Sequence, residues 1–316
     1  MTPVLRAVEP GAHVTLQDIG RVGWRRFGVA GAGAMDPDAL LIANALIGNP
    51  PNAAALEFAH AGGVWRVEAA SCRVAVTGGA FTVSSDDGPL APWRSHRLVR
   101  GQTLTIGGTR DAVWGYLAVA GGFVVAPRLG SRSTHLRSGI GGIAGRRLQA
   151  GDAIPLLLDA APLIPEARIP QPRRSIGPLR VVMGPQRDFF SSDTIGNFLA
   201  SSWRVTHRGD RMGTWLEGPA LPHEKGFNIV SDGLVPGCIQ IPGGGQPVVL
   251  MMDCQTIGGY PKLATIITPD LPRFAQIRPG GLVSFAAHDI ETAQRVYRDY
   301  RERRDRVASR IEPARV

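Results

Sequence analysis

Three cysteines, Cys72, Cys238 and Cys254, are too few and too scattered for a disulfide framework or for a set of metal ligands. They are expected as reduced core residues. Lysine is scarcer still: only Lys225 and Lys262 occur, so arginine supplies all the others of the 35 basic residues behind the net charge of +9. The excess gathers in RVYRDYRERRDRVASRIEPAR, from Arg295 to Arg315, with no aromatic platform or helix-turn-helix pattern beside it. A solvated helix face is therefore expected there, and no nucleic-acid partner. Long apolar runs are missing too. The uncharged stretch most easily mistaken for a membrane span, VWGYLAVAGGFVVA between Ala112 and Pro127, is broken by Gly115, Gly121 and Gly122 and is too short to span a bilayer. No apolar signal core follows the N-terminus, MTPVLRAVEPGAHVTLQD, and no lipidation motif closes the chain. A cytoplasmic protein with no membrane partner is expected.

Several catalytic signatures are absent as well. No Walker A lysine motif, paired-histidine metal signature, GxSxG elbow or biotin-carrier lysine motif occurs, and nothing resembles a Ser-Ser-Lys amidase site. An ATP or biotin step would then depend on another polypeptide, and no metal site is expected. SGIGGIAGR near Gly139 has the spacing of a dinucleotide fingerprint, but no strand precedes it and a basic hairpin follows, which excludes a Rossmann reading.

What is present is β-rich. With 316 residues, 44% of them hydrophobic, the chain can bury a full core and suits two domains. Short apolar runs bounded by glycine fill both halves: RVAVTGG, TLTIGG, LRVVMG, VVLMMD and LATIIT. LVRGQTLTI, LQAGDAIPL and IRPGGLVSF each read as strand, turn, strand. A proline-rich segment, 159–178, reads as a linker. It separates an N-terminal β-domain, 1–158, from a C-terminal one, 179–288, with a helix and basic tail over 289–316. One helix is clear within 36–48: Asp36 caps it, Pro37 opens it and Gly48 ends it. Asn44 inside it is expected to be buried and bonded to a neighbouring loop. Further C-terminal, the last helix is expected to pack lightly or to dock on a partner.

Chemistry concentrates between Val248 and Asp270, where VVLMMDCQTIGGYPKLATIITPD sets a polar connection between two apolar strands. Asp253, Gln255, Thr256, Tyr260 and Lys262 bring an acid, an amide, two hydroxyls and an amine. Gly258 and Gly259 let backbone N–H groups approach a ligand. The set suits an anion, a carboxylate or a ureido group. Two uses fit Lys262: an exposed lysine opening a strand, or a desolvated amine that takes up a proton. Gln240 precedes Gly243, Gly244 and Gly245, which read as a hairpin tip or as an anion cradle. Arg211 is expected to pair with Asp210 or to face a carboxylate. Gln17, Asp18 and Arg21 lie on a glycine-rich stretch before the first helix, whose N-terminus suits an anion or simply a cap.

These segments also carry a likeness. QDIGRVGW, GAMDPDALLIANALIGN, ALEF, GSRSTH, GRRLQAGD, GPQRDFF, GDRMGTWLEGP, SDGLVPGCIQIP and DCQTIGGYPKLATIITPDL stand in the order found in one family. The chain resembles the family of the 5-oxoprolinase C subunit and the carboxyltransferase domain of urea carboxylase, also called allophanate hydrolase subunit 2 or kinase inhibitor antagonist. The resemblance implies a mainly β fold with some α, built as two cyclophilin-like β-barrel domains that meet across a cleft. It implies one subunit of an ATP-dependent complex that opens 5-oxoproline to glutamate, its partners being a kinase-inhibitor-like B subunit and an A subunit. ATP then acts through the complex. The alternatives are a biotin-dependent carboxyltransferase for urea or a related small amide, and a non-enzymatic antagonist of the kinase-inhibitor-like partner. Carried onto this sequence, the resemblance places Lys262, Asp253 and Gln255 in catalysis. It assigns Arg211, Gln240, Thr256, Gly258, Gly259 and Tyr260 to substrate binding. Arg211 and the two glycine amides would hold an anion, Asp253 and Gln255 would orient the amide, and Lys262 would accept a proton. Ala32 stands where the family often has serine, Ile257 replaces a common threonine, and the Gly243 loop is plainer than usual.

Overall fold

The computed structural model describes residues 2–314. They form two compact units. The first comprises the chain up to Arg21, Ala32–Arg173 and the stretch from Arg303 onward; the second comprises Val22–Gly31 and Arg174–Glu302. Among the described residues, no helix is long and apolar enough to cross a membrane. Both units are mainly β with a few helices, as expected.

In the first unit two antiparallel sheets enclose one core. The five-stranded sheet runs Val14–Gln17, Ala55–Ala59, Trp114–Val119, Ser71–Thr77, Ser95–Val99. All seven residues of Ser71–Thr77 are buried. Period-two alternation explains this: Cys72, Val74 and Val76 enter the core shared with the six-stranded sheet, whereas Ala75 packs with the helix Pro37–Leu46. The neighbouring strand divides likewise, Leu117 and Val119 to the core, Tyr116 and Ala118 to the helix. Asp36 caps that helix by accepting from Ala39 N at 3.1 Å, and Gly48, at φ +73°, follows its end. Asn44 is fully buried and donates to Ala53 O at 2.8 Å, tying the helix to the next loop.

The stretch Gln17–Arg21 is also structural. Asp18 accepts from Gly20 N, Ser131 Oγ, Arg132 N and Ser133 Oγ at 2.6–2.8 Å, and Arg21 donates to Ser133 O. The bond to Gly20, together with Gly33 N donating to Gln17 Oε1 at 3.2 Å, holds these two positive-φ glycines beside the helix entry. Near Gly139 a 3-10 turn and an isolated bridge between His135 and Ile140 stand in place of any strand-to-helix fingerprint.

Three expected hairpins are corrected. Gly101, Gly151 and Gly280 do turn the chain at φ +90°, +88° and +88°. Pairing across the turns differs, however. Ser95–Val99 and Thr103–Gly108 belong to different sheets, so LVRGQTLTI carries the chain from one sheet to the other. In LQAGDAIPL only Ala153–Pro155 is a strand, paired with Val4–Pro10. In IRPGGLVSF the strands lie after the glycines.

That last stretch closes the second unit. Its eight-stranded sheet runs Leu282–Val283, Trp203–Gly209, Gly213–Glu217, Val248–Leu250, Cys238–Gln240, Lys262–Ile266, Leu179–Met183, Phe285–Ala287. The two edge strands are separated only by Ser284, so one extended stretch pairs at both edges and the sheet closes into a barrel. Val181, Val205, Leu216, Ile239, Val249 and Phe285 are buried. Phe198, on the helix Ser192–Ala200, stacks on Phe285 with centroids 4.8 Å apart. Asp270 is buried beside Lys262–Ile266 and takes a bidentate pair from Arg180 at 3.1 and 2.6 Å.

The helix Ile290–Asp305 buries only Tyr300, in keeping with a solvated arginine-rich face. Of the basic tail, Glu312–Pro313 pairs with Ala167–Arg168 in the first unit, and Arg315 lies outside the described residues. The three cysteines are buried and unpaired; burial pushes the Cys72 thiol up to about 12.

Candidate functional site

In the second unit, the strands Val248–Leu250 and Lys262–Ile266 are not neighbours, because Cys238–Gln240 lies between them. The chain from Met251 to Pro261 must therefore cross over one barrel strand. It is held on the way by backbone bonds: Met251 N to Met212 O at 3.0 Å, Asp253 N to Arg211 O at 2.7 Å, Leu234 N to Thr256 O at 2.9 Å and Ile229 N to Gly259 O at 2.8 Å. Ile257–Gly258 and Asp232–Gly233 form a two-stranded ribbon, with Asp232 opposite Gly258. Two glycine-containing loops are thus zipped together over the barrel rim.

Lys262 opens its strand but is not the exposed residue such a position suggests. It is 5% exposed, with its Nζ paired to Asp232 Oδ2 and donating to Gly233 O at 2.9 Å. Gln186 closes the arrangement. Its Oε1 accepts from the Lys262 backbone N at 3.3 Å, and its Nε2 donates to Asp232 Oδ2, also at 3.3 Å. The Lys262 ammonium, by hydrogen bond and charge, and the Gly233 N–H hold the Asp232 carboxyl below the usual range.

Gln240 sits opposite Lys262 in the strand register, and its Nε2 donates to Tyr260 O at 3.2 Å. Gly258 has no room for a side chain. A Cβ there would meet Leu234 Cδ1 at 2.6 Å and stand 3.3 and 3.6 Å from the amide nitrogens of Gln240 and Gln255. Lys262, Gln240, Gln255, Gly258 and Tyr260 are thereby brought together. Gln255 and Tyr260 are exposed, while Thr256 and Gly259 are half-buried. Gly243–Gly245 form the turn between Cys238–Gln240 and Val248–Leu250, a hairpin tip.

Arg211 and Asp253 hold each other. Arg211 Nε and Nη2 donate to the two Asp253 oxygens at 3.0 and 2.7 Å, and the side chains are 3% and 6% exposed. The expected Asp210–Arg211 pair does not form. Instead Asp210 caps its own turn, accepting from Met212 N at 2.7 Å and Gly213 N at 3.2 Å. Arg211 and Asp253 thus brace the start of the crossover, where the sequence suggested an anion holder and a substrate orienter.

Three further residues were not singled out from the sequence. Asp232 and Gln186 lie within quoted motifs, and the signal that points to them is the lone buried lysine, which needs a carboxylate. The third is Arg25. Its Nη2 donates to Leu234 O at 2.7 Å and Gln255 O at 2.9 Å, so one guanidinium pins both loops of the site. Arg25→Ala should cost about 2 kcal/mol, the scale of bonds from a charged donor. It should also speed amide hydrogen exchange over 231–236 and 254–258. Arg25→Lys should recover only part, since an ammonium lacks the planar fork.

The family described as carboxyltransferase domain, subdomain A and B, matches residues 27–287, which take in the whole barrel of the second unit and both zipped loops. The chain belongs to this family. It is similar to the 5-oxoprolinase C subunit of Escherichia coli, 37% identical over 98% of this chain and 99% of that protein. Its similarity to the 5-oxoprolinase C subunit of Haemophilus influenzae is 35% identity over 91% of this chain and 92% of the relative. Among solved structures, the urea carboxylase of Kluyveromyces lactis superposes with a TM-score of 0.89 at 26% identity. That match covers 99% of this chain but only 31% of the urea carboxylase chain.

Proposed function

We propose that this chain is the C subunit of an ATP-dependent 5-oxoprolinase, a cytoplasmic complex that converts 5-oxoproline to glutamate and also contains a kinase-inhibitor-like B subunit and an A subunit. The observation that carries the reading is the end-to-end match with the two C subunits, 98% of this chain against 99% of the Escherichia coli protein. The site chemistry is compatible with it. A lactam offers one carbonyl oxygen and one N–H, and the amides of Gln240 and Gln255 each carry both a donor and an acceptor. In this reading those two amides and the Gly258 and Gly259 backbone orient the ring, and Lys262 addresses its carbonyl. Tyr260 and Thr256 line the rim. Arg211 and Asp253 act through the crossover they brace. With no Walker A lysine motif in the sequence, the ATP step is assigned to another polypeptide of the complex, and no residue here is given a nucleotide to hold.

Likeness to urea carboxylase supports a second reading, carboxyl transfer from biotin to a small amide. The same amides suit a ureido group, and biotin would arrive on another polypeptide. A third reading, sequestration of the kinase-inhibitor-like partner, needs no chemistry at the site.

The test is reconstitution. The chain is co-expressed with its A and B subunits, and ATP-dependent glutamate formation from 5-oxoproline is measured with and without it. Activity lost on omission establishes the oxoprolinase reading. A well-formed complex without that activity transfers the assignment to carboxyl transfer, assayed next with carboxybiotin and urea.

A further inference from the structure

We infer that Asp232 is a further substrate-binding residue, whose carboxylate accepts the N–H of the small amide that the site holds. The inference rests on the proposed function for the identity of that amide and on the zipped loops for its geometry.

A lactam is planar about its C–N bond, and the ring forces its C=O and N–H onto one edge. A group that accepts the N–H must therefore stand beside the group that meets the carbonyl. Asp232 is placed in that way. Its Oδ2 is bonded to the Lys262 Nζ, and its backbone lies opposite Gly258, around which the amide nitrogens of Gln240 and Gln255 gather. Only the position of the lysine amine enters here, so the placement is the same whether that amine carries two protons or three.

The carboxylate has capacity left for a ligand. When ionised, its two oxygens offer about four lone-pair sites. Oδ2 accepts from Lys262 Nζ and from Gln186 Nε2 at 3.3 Å, whereas among the described residues Oδ1 accepts only from Gly233 N, at 2.7 Å. The side chain is 50% exposed, so a ligand can reach it. The three bonds also fix where the carboxylate stands, which spares a ligand the cost of ordering it. The Lys262 hydrogen bond, and after it the Gly233 N–H, hold the carboxyl below its usual range and keep it an acceptor at neutral pH.

Neighbouring acceptors serve less well. Asp253 is held by both nitrogens of Arg211, and Asp188 pairs with Lys225. Gln240 and Gln255 offer neutral oxygens, and a hydrogen bond to an ionised oxygen is roughly twice as strong. The carboxylate of 5-oxoproline itself projects from a tetrahedral ring carbon, out of the amide plane, and so leaves an acceptor in that plane room to act.

The test is a cycle of two proteins and two ligands in the reconstituted complex, without ATP, so that calorimetry reads binding alone. 5-Oxoproline is compared with its lactone analogue, in which a ring oxygen replaces the N–H. Asp232→Ala should weaken the lactam by about tenfold or more relative to the lactone, the scale of one hydrogen bond to a charged group. Equal losses for both ligands would mean that Asp232 acts only through Lys262 and the loops, and would overturn the inference; so would no loss for either. Should Asp232→Ala fail to assemble, Asp232→Asn keeps the shape and a neutral acceptor. The lactam should then lose about threefold against the lactone, and equal losses would again overturn the assignment. A natural complex that binds neither ligand would sink the oxoprolinase reading and leave Asp232 to be tested with the cyclic urea imidazolidinone against ethylene carbonate. There a fall in the preference for the urea supports the assignment, and an unchanged preference ends it.

Discussion

Asp253→Ala is expected to lower the stability of the second unit by about 3–5 kcal/mol, the cost of leaving one buried charge without its partner. The Arg211 and Asp253 side chains are 3% and 6% exposed and joined through two nitrogens and two oxygens. Alanine would remove the two charge-assisted bonds that the guanidinium makes to this carboxylate. The loss also reaches the backbone, because Asp253 N is bonded to Arg211 O and starts the crossover that carries Gln255 and Gly258. A shift in the urea midpoint at constant m-value would read the effect as stability alone. Asp253→Asn should fall between, keeping the volume and one acceptor. The paired replacement Arg211→Met with Asp253→Leu is the decisive control. Removing both charges together is often near neutral for folding, so that variant should be folded. If it also retains activity in the complex, the pair only braces the crossover; if it is folded and inactive, one of the two touches substrate after all.

How far the site could be read in the sequence depended on the range of the interactions involved. Asp36, Pro37 and Gly48 announced the first helix because caps act within a few residues. VVLMMDCQTIGGYPKLATIITPD likewise disclosed a polar connection between two strands through alternation and glycine alone. Pairing was less legible. Gly101 signals a turn in any setting, but whether the strands on either side join one sheet or two is decided by contacts from the rest of the fold. Barrel closure is the extreme case, since nothing in LVSF states that the residues flanking Ser284 pair with strands from opposite edges of the sheet. Partners were least legible. Lys262 and Asp232 are 30 positions apart, and Arg25 reaches Leu234 across 209. Local pattern carries no record of such distances. Composition singled out Lys262 as one of only two lysines, but its burial, and with it the need for an anion, appears only in the fold.

Lys262→Met should reduce turnover of the reconstituted complex by about 10²–10³-fold, the range seen when one donor to a developing oxyanion is removed. Methionine keeps most of the aliphatic stem, so the buried volume at the strand start changes little. Asp232, which loses its ion pair, has a side chain that is 50% exposed and can be solvated in place. Folding and assembly should therefore survive, as thermal unfolding and co-purification with the partner polypeptides would check. A donor that acts mainly on the transition state affects kcat while leaving KM nearly unchanged, whereas one that only binds the ground state raises KM. The first pattern is expected here. Lys262→Arg should rescue poorly despite keeping the charge, because a planar fork cannot reach Asp232 and Gly233 O and still present a donor from the same point. Unchanged turnover in Lys262→Met would remove Lys262 from the chemistry. The amides of Gln240 and Gln255 would then have to orient the lactam without it, and the Asp232 pair would be reduced to a tie between two loops.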